Sequence, residues 1–201
     1  KHNEDIHTKT ASQVFNVSMD EVTSKQRSDA KAVNFGIVYG KSDFGLSEDL
    51  NIPVKQAKEY IENYFNKYNK IKEFMDNIID DASSNGYVTT ILNRRRYIPE
   101  IKSSNFMLRN AGKRAAMNAP IQGSAADIIK IAMVRIFDRF EKNGLKARMI
   151  LQVHDELNFS VPENEIEIVE HIVKEEMENA YQLKVPLIAD SGIGKNWLEA
   201  H

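Results

Sequence analysis

The sequence predicts an α+β fold, mainly helical, with a short antiparallel hairpin set among the helices. Three observations lead there. Long stretches carry apolar residues at three- and four-residue intervals, the helical period, as in Ala57, Tyr60, Ile61, Tyr64, Phe65, Tyr68, Ile71, Met75 and Ile78. The β-rich runs are short, and two of them, Met149–Val153 and Leu157–Val161, stand close together. Between them lies only the polar link His154-Asp155-Glu156, the pattern of a β-hairpin.

Taken in order, residues 3–16 read as a helix with Ile6, Ala11 and Val14 inward. A second helix opens near Ser24 or Lys25 and runs through RSDAKAVNFGIVYG to Gly40, with Ala30, Val33 and Ile37 inward. Pro53 starts the long periodic stretch, which exceeds an ordinary helix and breaks at Asn69. Its tyrosines read as core. Gly86 ends that stretch, and Tyr87–Ile91 with Arg95–Ile98 form a small strand pair. A helix from about Asn105 stops near Pro120. The next begins at Gly123-Ser124, where Ser124 and Asp127 have capping-box spacing, and ends at Gly144. After the hairpin, Pro162 starts an amphipathic helix, Glu163–Ala180, with Ile166, Val169, Ile172, Val173 and Met177 inward. Its acidic first turn suits the positive end of the helix dipole. Leu187–Asp190 reads as a returning strand.

Composition narrows the function classes. A chain of 201 residues can hold a sizeable core or two subdomains. Without cysteine, a disulfide framework and a thiolate zinc site are both excluded. No apolar run approaches a membrane span and the start lacks a signal-peptide pattern, so a reducing cytoplasm and no membrane partner are expected. The net charge of −2 hides an uneven distribution. Arg94–Arg114 holds seven basic residues and one acidic, while Asp155–Tyr181 holds nine acidic residues against Lys174. A basic strip apart from an acidic helix suits a protein that holds phosphates on one surface. Arg94-Arg95-Arg96 could equally be a solvated turn.

Two constellations carry chemistry. Arg27, Lys31, Phe35 and Tyr39 are spaced by four. Each step of four turns a helical side chain by about 40°, so they form one drifting stripe about 18 Å long. Cations suit a polyphosphate, and rings beside them suit a base or sugar. The same spacing also fits a solvated cationic face beside two core rings. The second constellation is QVHDE, Gln152–Glu156. Adjacent carboxylates at a hairpin tip repel unless a positive group sits there, and Mg²⁺ prefers carboxylate oxygen while keeping substrate phosphate as a further ligand. An acidic surface turn is the alternative.

RSDAKAVNFGIVYG resembles the nucleotide-binding fingers helix of family A DNA polymerases, and QVHDE resembles their catalytic palm hairpin. NAPIQGSAADI (Asn118–Ile128) matches a third signature of that family, and NRRRYIPEI (Asn93–Ile101) its GRRRY-type segment. The four stand in the family's order, and the resemblance runs from end to end. It implies a mainly helical fingers subdomain over residues 1–120 and part of a palm over 121–201, with the nucleotide-binding helix at 25–40 and the catalytic hairpin at 149–161. It implies that Arg27 and Lys31 hold the incoming deoxynucleoside triphosphate, with Lys31 assisting proton transfer to pyrophosphate. Phe35 would pack on the sugar and base, and Tyr39 would occupy the insertion site. Arg114, Asn118 and Gln122 would contact primer-template DNA near the growing end, and His154 the primer terminus. Asp155 would bind the catalytic Mg²⁺ ions, with Glu156 close by. Asn93 departs from the family's glycine, although Asn tolerates a left-handed turn. Lys113 departs from an acidic residue.

The family's first catalytic aspartate lies in a DYSQIELR-like strand with no counterpart here. Two-metal transfer needs carboxylates on both sides of the metal pair. The sequence therefore predicts a piece of a polymerase, inactive by itself, whose metal site a carboxylate outside this chain completes. A monomer is expected, though no residue pattern fixes the oligomeric state. Two rivals belong to other classes. A His-Asp metal phosphohydrolase needs further His and Asp gathered from helices, whereas His154-Asp155 lies between strands. A non-catalytic nucleic-acid-binding module would use the basic strip alone.

Overall fold

A computed structural model describes residues 5–200. The chain divides into two compact units, Lys1–Ile121 and Gln122–His201. It is α+β and mostly helical, with two two-stranded antiparallel sheets.

The first unit begins with α1 (Ile6–Phe15), whose N-cap Asp5 accepts a hydrogen bond from the Thr8 backbone. α2 (Ser24–Val38) opens with a capping box: Thr23 accepts from the Gln26 backbone, and its own N–H donates to the Gln26 side chain. α3 (Asp43–Leu50), α4 (Val54–Lys67) and α5 (Asn69–Asn85) follow. Val14, Val33, Ile37, Leu46, Leu50, Ala57 and Tyr64 form the cluster that binds α1–α4, with Tyr60 and Tyr68 packed against it. Fully burying each large aliphatic side chain contributes about 1.5–3 kcal/mol. The long periodic stretch breaks at Tyr68 (φ −112°, ψ 55°), one residue before the expected Asn69.

Gly86 ends α5, and β1 (Tyr87–Thr89) pairs antiparallel with β2 (Arg95–Tyr97). Asn93 in the turn between them has φ 61°, so asparagine supplies the left-handed backbone here. Val88, Ile98, Ile101, Ala82 and Ala116 close a second small core. The 3-10 turn Pro99–Lys102 lies directly on Gly112 of the next helix. A Cβ at Gly112 would stand 2.6 Å from the Ile101 backbone nitrogen and 2.9 Å from the Glu100 carbonyl carbon, so only glycine allows this approach.

Three expectations are corrected. Ile6 is 64% exposed, not inward, because the side of α1 that turns to the core carries Thr10, Ala11 and Val14. The two helices expected around Pro120 are one, α6 (Phe106–Lys142), with Pro120 inside it. A proline deletes one hydrogen bond, to the carbonyl four residues back. Here packing holds the helix on both sides, through Ala116 in one core and Ala132, Ile136 and Phe140 in another. Ser124 and Asp127 are therefore mid-helical, and Asp127 is buried instead of capping. Lastly, Leu187–Asp190 forms no strand, the sheets of the described residues having only two strands each.

In the second unit, β3 (Arg148–Val153) pairs antiparallel with β4 (Glu156–Ser160), with an irregularity between Met149 and Leu151. A 3-10 turn at Glu163–Glu165 leads into α7 (Ile166–Glu178). Val169 and Ile172 of α7 bury against Ile136 and Phe140 of α6. Arg139 clamps the two helices at 2.5 Å to Glu175 and 3.0 Å to Glu176. The helix expected over Glu163–Ala180 starts only at Ile166, with Glu165 at its N-cap. Glu165 is buried, and its carboxylate accepts backbone N–H bonds from Lys146 and Ala147 at 2.9–3.0 Å. No helix among the described residues is long and apolar enough to cross a membrane.

Candidate active site

α2 buries Ala30, Val33, Gly36 and Ile37, which leaves Arg27, Lys31 and Phe35 on its open side. Phe35 is 47% exposed and Tyr39 44%, so the reading of both rings as core is excluded. The two rings stack 6.4 Å apart at 22°. Lys31 Nζ stands 5.9 Å from the Phe35 centroid, within cation–π range. Tyr39 is not a helical residue but the C-cap (φ −87°, ψ 1°). Gly40 follows at φ 63°, and the N–H groups of Gly40 and Lys41 bond to the carbonyls of Ile37 and Gly36. This glycine-terminated Schellman closure stops the helix where the second ring is presented.

Residues the sequence reading missed brace this stripe from α1. Asp5 takes Arg27 in a two-point pair, Nε to Oδ2 at 2.7 Å and Nη2 to Oδ1 at 3.2 Å. The Arg27 guanidinium, followed by the Thr8 hydroxyl, holds the Asp5 carboxyl far below the usual range, and Asp5 in turn raises Arg27. Asn34 Nδ2 lies 3.1 Å from His7 Nδ1 and 3.2 Å from the buried Thr10 hydroxyl. The His7 ring sits 6.1 Å from Phe35. These contacts join residues more than twenty positions apart, which no local period reveals.

On α6, Arg114 is exposed and Asn118, one turn on, is half-buried. The Asn118 Nδ2 is buried with no hydrogen-bond partner among the described residues. A Cβ at Gly40 would stand 3.1 Å from Arg114 Cγ and overlap the Met117 methyl, so the end of α2 and this turn of α6 touch. Gln122, the next residue by that spacing, is exposed and belongs to the second unit.

In that unit Val153 pairs with Glu156, so the hairpin tip is the two-residue turn His154-Asp155 and Glu156 is the first residue of β4. His154 has φ 53°. A left-handed non-glycine residue is uncommon, although histidine is enriched there, and it costs on the order of 1 kcal/mol or more. Gln152 Nε2 donates to the His154 carbonyl at 3.1 Å. His154 and Asp155 are exposed and Glu156 half-buried. Adjacent carboxylate oxygens suit a hard divalent cation in donor type. They fall short in number, and no group of three potential metal-ligating side chains exists among the described residues. Any metal here needs further oxygens from substrate, solvent or other parts of the protein.

Thus Arg27, Lys31, Phe35 and Tyr39 share one surface with Arg114 near its end, while His154, Asp155 and Glu156 share a hairpin in the other unit. Comparison with known proteins covers nearly the whole chain. A sequence model described as DNA polymerase family A matches residues 1–199. The chain is 54% identical to DNA polymerase I of Caldicellulosiruptor bescii over 99% of its own length and 23% of that protein's. It is also 54% identical to DNA polymerase I of Bacillus subtilis, over 98% of its own length and 22% of that protein's. It therefore spans under a quarter of these relatives. A solved structure, the POL domain of Pol1 from M. smegmatis in complex with DNA primer-template and dNTP, superposes with a TM-score of 0.93 at 46% identity. That match covers 98% of this chain and 35% of the other. With the family match spanning almost every residue and the family's motifs in place, the chain belongs to DNA polymerase family A.

Proposed function

We propose that this chain supplies the nucleotide-gripping helix and the metal-bearing hairpin of a DNA-directed DNA polymerase. The enzyme would add deoxynucleotides to a primer 3′ end on a DNA template by two-metal phosphoryl transfer. The observation that carries the proposal is the open face of α2, two cations followed by two parallel stacked rings, all solvent-exposed. A solvated face has no reason to leave stacked rings uncovered, whereas a nucleotide presents a triphosphate and a flat base in that order. The named complex of the M. smegmatis relative, with primer-template and dNTP, supports the same reading.

In this proposal Arg27 and Lys31 bind the triphosphate, and Lys31 delivers a proton to the departing pyrophosphate. Phe35 packs on the sugar and base, with Tyr39 at the insertion site. Arg114, Asn118 and Gln122 hold the primer-template from its minor-groove side. His154 reaches the primer terminus. Asp155 would hold Mg²⁺, with Glu156 beside it. Mg²⁺, when bound, would offset phosphate charge and lower the pKa of the attacking hydroxyl. Two carboxylates are too few for a metal pair, so another carboxylate of the polymerase completes the site. On that count the 201-residue chain by itself would bind nucleic acid without extending it. A gel shift and a primer-extension assay on one primer-template test this, and template-dependent extension would refute it.

The main test is Asp155→Asn in the full-length polymerase. The amide keeps the shape and loses the charge, so the single-turnover rate should fall by roughly 10²- to 10³-fold or more, with DNA affinity nearly unchanged. An equal loss of DNA binding would make Asp155 structural.

A further inference from the structure

We propose that Asp5 is a positioning residue for nucleotide binding, fixing the Arg27 guanidinium so that its remaining edge faces the triphosphate. The proposal rests on the reading of Arg27 as a triphosphate contact. Asp5 occupies Nε and Nη2 of Arg27 and leaves Nη1 outside the pair. A guanidinium has five N–H donors in a rigid plane, so one carboxylate along one edge orients the others without consuming them.

Asp5 is itself held firmly. Its Oδ2 accepts from the Thr8 backbone at 3.0 Å and the Thr8 hydroxyl at 2.5 Å, as the N-cap of α1. That helix packs along α2. The carboxylate is therefore fixed by its cap on a helix that packs along α2, and it carries that order to Arg27. An arginine ordered beforehand gives up less freedom when it meets phosphate. Of the two cations on the stripe, Arg27 is the one held, among the described residues, by a carboxylate across helices, whereas Lys31 is placed against the Phe35 ring.

Asp5→Asn separates this role from capping. Asparagine caps as well as aspartate, but it loses the charge and turns an N–H donor toward a guanidinium. The assay is single-turnover incorporation of one nucleotide by the full-length polymerase, which yields nucleotide Kd and maximal rate separately. Asp5→Asn should raise Kd about three- to fivefold, the upper end for a part-exposed ion pair, with the maximal rate within about twofold. In an Arg27→Ala background the same change should add nothing, because the coupling runs through Arg27. If Arg27→Ala raises Kd while Asp5→Asn leaves it unchanged or lowers it, Asp5 is inert or a competing anion, and the proposal fails alone. If Asp5→Asn lowers only the maximal rate or the folded fraction, its role is structural and the proposal is overturned. If Arg27→Ala leaves Kd untouched, the triphosphate reading and this proposal fall together.

Discussion

Gly112→Ala should destabilise the protein, although the same exchange usually strengthens a helix. Within an exposed helix, alanine is better than glycine by about 1 kcal/mol. At Gly112 the added methyl would lie 2.6 Å from Ile101 N and 2.9 Å from both Glu100 C and Ile101 Cα. Ordinary contacts begin near 3.4 Å, so the deepest overlap is about 0.8 Å, and all three neighbours are backbone atoms that cannot swing away. Overpacking of this kind costs about 1–3 kcal/mol, and a rigid backbone neighbour argues for the upper end. Set against the helix gain, the net loss is about 2 kcal/mol. Gly45 in α3 is the matched control, since its new Cβ would meet nothing closer than Ser42 Oγ at 3.7 Å. Gly45→Ala should therefore stabilise by roughly 0.4–1 kcal/mol. Urea unfolding of both variants and the parent, followed by circular dichroism, gives the two shifts. A Gly112→Ala variant as stable as the parent would mean that the turn at Pro99–Lys102 does not press on α6.

Lys31→Ala in the full-length enzyme should depress rate and nucleotide affinity for every base, by roughly 10²-fold if it also moves a proton; a loss confined to one base, seen by single-nucleotide kinetics, would count against a phosphate role. Phe35→Tyr keeps the exposed ring and adds a hydroxyl, so deoxynucleotide incorporation should hold while dideoxynucleotide incorporation eases; an unchanged preference in paired kinetics would place the ring away from the sugar. Glu175 is held below the usual carboxylate range by the Arg139 guanidinium. A lowered native pKa means that its stabilisation is present above the unfolded value, about 4.3, and is lost as pH falls through the native one. Glu175→Gln should thus lower the thermal midpoint at neutral pH and progressively less in acid, and a pH-independent difference would exclude the charge as the cause.

Chemistry encoded locally was legible in the sequence. The inward face of α2, the end of α5 at Gly86 and the short strand pair follow from period and turn residues, and Tyr60, Tyr64 and Tyr68 do lie in or against core. What failed depends on distant neighbours. Pro120 reads as a stop because the local rule penalises it, while the packing of Ala116 and Ala132 that overrides the rule belongs to other segments. Leu187–Asp190 has the composition of a strand, but a strand exists only beside a partner edge. At the candidate site, the spacing by four located an exposed stripe, yet Asp5, His7 and Asn34 were invisible, since each acts through a contact across two helices.

The buried Glu165 makes the hairpin's alignment a long-distance matter. Its carboxylate fastens the amides of Lys146 and Ala147, the residues just before β3 starts. Side chains alternate along a strand, so a slip of one residue would turn every group to the opposite face. The histidine and aspartate at the far end of β3 thus inherit their orientation from a buried anion that lies outside the hairpin. Glu165→Gln would set an N–H against an N–H and loosen that zero point. Damage to the tip could then arrive from a substitution at the other end of the ribbon, with His154, Asp155 and Glu156 all still in place.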